Sequence, residues 1–172
     1  MSLACPEPGE NACILIGGLG MGYTLAATLD LLPTDGSVVV SELIPEVVDW
    51  NRGPLGPLAG HPLDDPRTEL VVRDVVDIIR DSCSQFDAIL LDVDNGVNSF
   101  TIEDNSRLYS PEGLRAAYRA LRPKGALAIW SVDVESTFES KLRASGFTGS
   151  SHRVRARGKR GGHYAILVGR KA

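Results

Sequence analysis

Cys13-Ile14-Leu15-Ile16-Gly17-Gly18-Leu19-Gly20-Met21-Gly22 is an apolar run that breaks into glycines and then into a helical pattern. It reads as a buried strand feeding a tight turn at the N-terminus of a helix. Gly18, Gly20 and Gly22 leave no Cβ between the backbone and whatever lies over the turn, so a flat or charged ligand can approach the amides closely. A nucleotide-like cofactor is the natural occupant. The spacing is G-x-G-x-G: the dinucleotide fingerprint needs a glycine where Tyr23 stands, and the Lys-Ser/Thr end of a phosphate-binding loop is missing. Neither NAD nor ATP is therefore the first choice.

Working outward, Leu25, Ala26, Leu29 and Leu32 repeat at helical spacing as far as Pro33, and Val38-Val39-Val40 reads as a buried parallel strand ending in Ser41-Glu42. Pro45-Glu46 opens a second helix. Residues 53 to 67, rich in proline and glycine, read as loop with at most a short helical turn. Leu70-Val71-Val72 gives a third strand, Val75 to Ile79 a short helix, and Phe86-Asp87-Ala88-Ile89-Leu90-Leu91 the clearest strand of all, running into Asp92. Residues 93 to 110 are polar and irregular, long enough to suggest a binding loop. A helix from Pro111 to Leu121, a turn at Arg122-Pro123-Lys124-Gly125, a strand from Ala126 to Trp130 and a helix through Phe138 and Leu142 to Gly146 follow. Two strands, about His152–Arg157 and Tyr164–Gly169, close the chain as a hairpin turning at Gly158 to Gly162. This alternation predicts an α/β fold: a mostly parallel seven-stranded sheet, helices on both faces, and an antiparallel C-terminal hairpin at one edge.

Length and composition bound the rest. At 172 residues the chain is read as one domain, residues 1–172. With 22 acidic against 18 basic residues the net charge is −4, which argues against bulk attraction to nucleic acid or to an anionic membrane. No apolar run nears the ~18 residues of a membrane span, and no leader is recognisable at the start. Cys5, Cys13 and Cys83 are odd in number and lack metal or redox spacing, so unpaired thiols in a reduced, cytoplasmic setting are expected. His61, His152 and His163 show no ligand spacing, and no metal is expected. Arg153, Arg155, Arg157, Lys159 and Arg160 crowd the hairpin and read as a solvated edge that resists strand addition. Trp130, at a strand end, is read as core or rim packing, with stacking on a ligand as the alternative.

In an open α/β sheet, ligands bind beyond the carboxyl ends of the strands near the switch in strand order, and four strands here end in features suited to that crevice. They are the glycine turn, Glu42, Asp74 and Asp92. Glu42 lies twenty residues past Gly22, where an acid accepts hydrogen bonds from ribose hydroxyls. Asp74 is read either as a helix N-cap or as an acceptor for an adenine amino group, with the Val75 amide beside it. Asp92 and Asp94 flank Val93 and precede Asn95-Gly96; two carboxylates this close push one pKa upward, as suits a base that takes a proton from an amine or hydroxyl. The alternative is that Asp94-Asn95-Gly96 is simply a turn.

Several segments together resemble a known family. Ile14 to Gly22, Val39-Val40-Ser41-Glu42-Leu43-Ile44-Pro45-Glu46-Val47-Val48, Leu63-Asp64-Asp65-Pro66-Arg67, Val72-Arg73-Asp74, Phe86 to Asp92 and Leu108-Tyr109-Ser110-Pro111-Glu112-Gly113 are similar to the catalytic domain of spermidine synthases, the polyamine aminopropyltransferases, which have the Rossmann-like class I S-adenosylmethionine methyltransferase fold. The likeness runs over about residues 12 to 147. It implies that Gly18, Gly20, Gly22, Glu42, Leu43, Asp74, Val75 and Asp92 line an S-adenosylmethionine or decarboxylated S-adenosylmethionine ligand. It further implies that Asp92, with Asp94, serves the attacking amine, and that Asn95 and Tyr109 border the substrate.

Two departures stand out. The family usually shows Asp-x-x-Asp-Pro after the fourth strand where this chain has Asp92-Val93-Asp94-Asn95-Gly96, and Leu19 and Met21 stand where its glycine run often carries an acid linked to the decarboxylated ligand. Nor is there room for the family's N-terminal β domain. The expectation is thus a divergent member or catalytic-domain fragment that moves an aminopropyl group to a polyamine such as putrescine, with methyl transfer to a small molecule and a non-catalytic nucleoside-binding domain as alternatives. The expected partner is a small-molecule amine, with a homodimer left open.

Overall fold

The structure, a computed structural model, describes residues 1–5, 7–92, 105–131, 136–157 and 160–172. Its centre is a seven-stranded sheet of order β3-β2-β1-β4-β5-β7-β6. The strands are β1 (Cys13–Gly17), β2 (Ser37–Glu42), β3 (Thr68–Val72), β4 (Phe86–Leu91), β5 (Leu121–Ser131), β6 (Thr148–Arg157) and β7 (Arg160–Arg170). Pairs β1/β2, β1/β4, β2/β3 and β4/β5 are parallel, whereas β7 runs antiparallel to both β5 and β6. The expected α/β fold with an antiparallel C-terminal hairpin is therefore the observed one. The chain leaves β1 toward β2 on one side and returns through β4 on the other, so the strand order switches at the carboxyl ends of β1 and β4.

Near-continuous Val, Ile and Leu runs make β1, β2 and β4 central strands, because a strand covered on both faces must be apolar at every position. In β1, Ile14 and Ile16 face one layer and Leu15 the other; all three are inaccessible to solvent. The first layer holds α1 (Tyr23–Leu29) and α2 (Pro45–Arg52), with Leu25, Leu29 and Val48 packed on Val38, Val40 and Leu90. The opposite layer holds α3 (Val75–Asp81), α4 (Asn105–Leu108), α5 (Pro111–Ala120) and α6 (Ser136–Ala144), through which Ile79, Leu114, Phe138 and Leu142 cover Ile89 and Leu127. Among the described residues, no helix is long and apolar enough to cross a membrane.

Boundaries differ from expectation in several places. The helix α1 stops at Leu29 instead of continuing to Leu32, because Pro33 disfavours helical backbone at the residue before it; the Leu31 and Leu32 amides both fall back on the Thr28 carbonyl. β6 starts at Thr148 instead of His152, since Gly149 to Ser151 pair with Leu167 to Gly169 despite having no apolar signal of their own. β5 reaches back to Leu121, which pairs with Phe86 across a register shift that absorbs the turn, with Lys124 at a φ of 67°. The loop after α2 carries two short 3-10 turns, Gly56–Ala59 and Pro62–Asp64. β7 starts at Arg160 instead of Tyr164, so residues 160–162 of the expected turn belong to the strand, through the pairing with β6, while 158–159 lie outside the described residues; of the irregular stretch 93–110, Asn105–Leu108 is helical and 93–104 lie outside the described residues.

Leu63-Asp64-Asp65-Pro66-Arg67 owes its form to one ion pair. Arg67 donates from Nε to Asp65 Oδ1 (3.0 Å) and from one terminal nitrogen to Asp65 Oδ2 (2.8 Å), while its other terminal nitrogen donates to the Leu32 carbonyl (3.0 Å). The side chain thus ties the entrance of β3 to the exit of α1. The Arg67 hydrogen bonds hold the Asp65 carboxyl below the ordinary carboxylate value. A lowered folded pKa gives stability that is present above the unfolded value, about 3.9, and is lost as pH falls through the folded one. Asp65→Asn is expected to cost about 1 kcal/mol at pH 7, and urea titrations of the two proteins should converge as pH drops below about 4.

Candidate functional site

The glycine turn leaves β1 with Gly18, Gly20 and Gly22 at φ of 90°, 52° and 82°. These left-handed conformations are why glycine stands at each position. Their surroundings differ. A Cβ on Gly20 would meet nothing within 4 Å, whereas one on Gly22 would lie 3.0 Å from Asn51 Oδ1 and 3.2 Å from Pro62 Cγ. Gly20 therefore faces open space at the crevice, and Gly22 is required by close packing against α2 and the loop that follows it.

Glu42, the last residue of β2, turns its carboxylate back across the switch point. Oε2 accepts the Leu19 amide (2.9 Å) and Oε1 the Ile44 amide (3.0 Å), and the residue is only 8% exposed. A buried carboxylate is tolerated because both oxygens are hydrogen-bonded, and each oxygen keeps a further lone pair. Beside it, Leu43 and Val72 are exposed apolar side chains at 57% and 52%. Asp74 caps α3: its Oδ1 accepts the Val76 amide at 2.8 Å. The cap alternative is thus occupied, and the second carboxylate oxygen of Asp74 remains for a ligand role. Val75 is a buried side chain pressed on Gly17, where a Cβ would come within 3.0 Å of it.

Across the crevice, the Asp92 amide donates to the Gly17 carbonyl (3.0 Å), extending the β1/β4 pairing one step beyond the strands. Its exposed carboxylate accepts from Thr24 Oγ1 at 2.6 Å. Asp94 and Asn95 lie outside the described residues. Tyr109 sits in the core at 6% exposure, edge-on to Phe138 with ring centroids 6.0 Å apart. Its hydroxyl has no hydrogen-bond partner among the described residues, and burial pushes the phenol pKa up. The structure therefore places Tyr109 inside a packed layer instead of on an open rim. Among the described residues no group of three or more His, Cys, Asp or Glu could hold a metal ion.

Two side chains at the site stand outside every motif of the sequence analysis. Asn51, 2% exposed on α2, donates from Nδ2 to the Gly20 carbonyl (2.8 Å) and to the Val47 carbonyl (2.9 Å). Thr24 holds Asp92 from the first turn of α1. A polar residue four places after Val47 on an otherwise apolar helix face is the trace that Asn51 leaves in the sequence; Thr24 leaves none.

No family model matches the chain. In structure it is similar to a spermidine synthase in complex with the transition-state analogue AdoDATO (TM-score 0.73, 22% identity, 97% of this chain and 54% of that one). It is also similar to a Burkholderia thailandensis 1,6-didemethyltoxoflavin-N1-methyltransferase with bound 1,6-didemethyltoxoflavin and S-adenosylhomocysteine (TM-score 0.67, 24% identity, 99% and 76%). The fold is the Rossmann-like class I methyltransferase fold. In sequence the chain is similar to the polyamine aminopropyltransferase of Mycobacterium tuberculosis (strain H37Rv), 29% identical over 157 residues. That match takes in 85% of this chain and 28% of the relative, so the chain spans less than a third of the relative's length. The resemblance to the spermidine synthase family is shown in that partial, divergent form, and these relatives and neighbours are transferases.

The Asn51 contacts carry a prediction for the turn. Asn51→Ala should cost about 2 kcal/mol in urea denaturation, since it strands the Gly20 carbonyl and opens a small cavity. Thr24→Val, at an exposed bond, should stay within about 0.5 kcal/mol of the parent.

Proposed function

We propose that the chain is the donor-binding and catalytic part of a spermidine synthase-like transferase. It binds an S-adenosylmethionine-type co-substrate and moves that molecule's aminopropyl group to an amine, for which the relatives' name suggests a polyamine such as putrescine. The observation that carries this reading is Glu42: a buried carboxylate fastened by two backbone amides at the edge of a glycine turn. Its remaining lone pairs suit ribose hydroxyls, the open side of Gly20 suits the backbone-hugging tail of the ligand, and exposed Leu43 and Val72 suit the two faces of an adenine ring. Asp74 Oδ2 and the Val75 amide are the groups for the adenine edge. The residues present thus fit an adenosyl ligand, and no metal is invoked.

When bound, the donor supplies a sulfonium whose adjacent carbon is open to attack and whose sulfur leaves as a neutral thioether. The protein's share is small and specific. Asp92 accepts the proton of the attacking amine, Thr24 orients the carboxylate for that task, and the β1/β4 backbone bond fixes both against the glycine turn. Asp94 and Asn95 are proposed to complete the amine side and Tyr109 to border it from the core. We further propose that residues 1–172 act as one domain.

Methyl transfer from S-adenosylmethionine is the second reading, favoured by one observation. Leu19 is buried at 4% exposure and Met21 projects outward, so neither side chain of the glycine run presents an acid to the aminopropyl end of a decarboxylated donor. Calorimetry with methylthioadenosine and S-adenosylhomocysteine tests the site itself: both are expected to bind, with Glu42→Ala weakening them at least tenfold, and absence of binding would overturn the donor assignment. A product assay with putrescine and either donor then separates aminopropyl from methyl transfer. Asp92→Asn should lower turnover by about a hundredfold or more while leaving nucleoside binding intact.

A further inference from the structure

The sheet ends in two unlike edges. At one, β6 sets Arg153 and Arg155 at alternate register positions, so pairing with its own copy would bring like charges together. At the other, β3 stands last in the strand order and reads Thr68-Glu69-Leu70-Val71-Val72, with Glu69 its one charged residue. Its inner side is fixed by β2: the Val38 amide donates to the Arg67 carbonyl (2.8 Å) and the Arg73 amide to the Glu42 carbonyl (3.1 Å). Peptide groups alternate along a strand, so those of Glu69 and Val71 also face β2, while those of Thr68, Leu70 and Val72 face outward. The Thr68 amide is taken by the Asp65 carbonyl at 2.9 Å. Among the described residues, the Leu70 and Val72 amides are thus left as outward donors, beside an exposed Val72 side chain.

We infer that this edge pairs with the same edge of a second copy of the chain, antiparallel about a two-fold axis at Val71. Glu69-Leu70-Val71-Val72-Arg73 has an acid at one end, a base at the other and only apolar residues between, so it is complementary to itself read in reverse. With the axis at Val71, the Leu70 amide donates to the partner's Val72 carbonyl and the Val72 amide to the partner's Leu70 carbonyl, and the axis repeats both bonds. The side chains select this register. Glu69 stands opposite the partner's Arg73 on one face, with Val71 against its own copy between the two charge pairs, and Leu70 lies against the partner's Val72 on the other face. Glu69 and Arg73 are both exposed. Arg73 holds Asp81 within its own chain, yet at side-chain exposures of 46% and 65% that pair contributes little, and the guanidinium keeps donors for a second carboxylate. Moving the axis to Leu70 would oppose Arg67 to the partner's Arg73 and set Glu69 against Val71. Charge therefore favours one register of one pairing, with an identical strand.

Sedimentation equilibrium of the whole chain at low ionic strength is the test. The parent is expected to pass from monomer to dimer as its concentration rises, and high salt should weaken the dimer. Glu69→Arg and Arg73→Glu should each raise the dissociation constant at least about tenfold, because each turns both flanking pairs into like charges. Mixed in equal amounts, the two variants should associate as the parent does, since every flanking pair in the mixed dimer again joins an acid to a base. Such recovery also shows that both variants are folded. Val71→Cys, made together with Cys83→Ser to remove the exposed native thiol, should give a disulfide-linked dimer under oxidised glutathione, because opposed residues of a non-hydrogen-bonded pair lie about 4.5 Å apart. A parent that stays monomeric, a dimer untouched by either charge reversal, or a mixture that fails to recover while each variant keeps the parent's thermal transition would overturn the inference. Absence of the linked Val71→Cys dimer would do the same, and it decides the matter where a charge variant does not fold.

Discussion

The rest of the site depends on how one buried negative charge is kept satisfied. Glu42 closes β2 at the point where the sheet changes direction, and its two oxygens each take one backbone amide, from Leu19 in the glycine turn and from Ile44 at the entrance to α2. No cation is used. Two amides of adjoining loops are thereby fixed relative to one carboxylate, and both loops inherit the rigidity of the strand. Further bonds repeat the same logic around it: the Gly18 amide donates to the Ser41 carbonyl, the Arg73 amide to the Glu42 carbonyl, and Asn51 to the Gly20 carbonyl. The turn is held by backbone groups and by the Glu42 and Asn51 side chains, and at Gly20 its outer surface is open.

From this anchor the crevice divides into unlike halves. The side made by β1, β2 and β3 presents backbone, carboxylates and two exposed aliphatic side chains, a surface for a polar molecule with one flat face. The side made by β4, β5 and β7 presents an apolar sheet face with Asp92 at its rim. The two meet at the Asp92 amide, which bonds to the Gly17 carbonyl where the glycine turn begins. In the proposed reading, a reaction between ligands on the two halves takes place at the carboxylate of Asp92. Thr24 belongs to the same junction, because the helix that starts from the glycine turn carries the hydroxyl that holds this carboxylate.

The sheet was legible because its central strands are apolar at consecutive positions and are separated by proline, glycine and acidic stops. The strand-end acids were legible for the same reason, each standing at the end of such a run. What escaped depends on proximity that one-dimensional spacing does not encode. Asn51 reaches Gly20 across 31 residues and Thr24 reaches Asp92 across 68, and in each case an ordinary residue type gains its role only from the fold. The early start of β6 was hidden because Gly149, Ser150 and Ser151 are made a strand by the pairing of β7, not by their own propensity. Tyr109 follows a polar stretch and is expected only by resemblance to border the substrate; the packing of α5 and α6 sets its ring in the core beside Phe138.

Donor selectivity follows from which way the glycine run points its side chains. A charged group in this run can meet the ligand only from a position that faces the crevice. Leu19 faces the core beneath the turn, Gly22 is closed in by Asn51 and Pro62, and Gly20 opens outward without a side chain. In the proposed reading the ligand's tail accordingly meets amides and open space here, not a carboxylate. Amides and a helix N-terminus favour negative groups, so the turn itself does nothing to reject a donor that retains its carboxylate, and it offers no counter-charge to a bare aminopropyl cation. Discrimination between the two donors must then fall to groups on the Asp92 side, where the acceptor's own charge competes for the same acid. Donor and acceptor preferences in such a site are linked: an acceptor with one cationic centre leaves less positive charge to be balanced there than a diamine does.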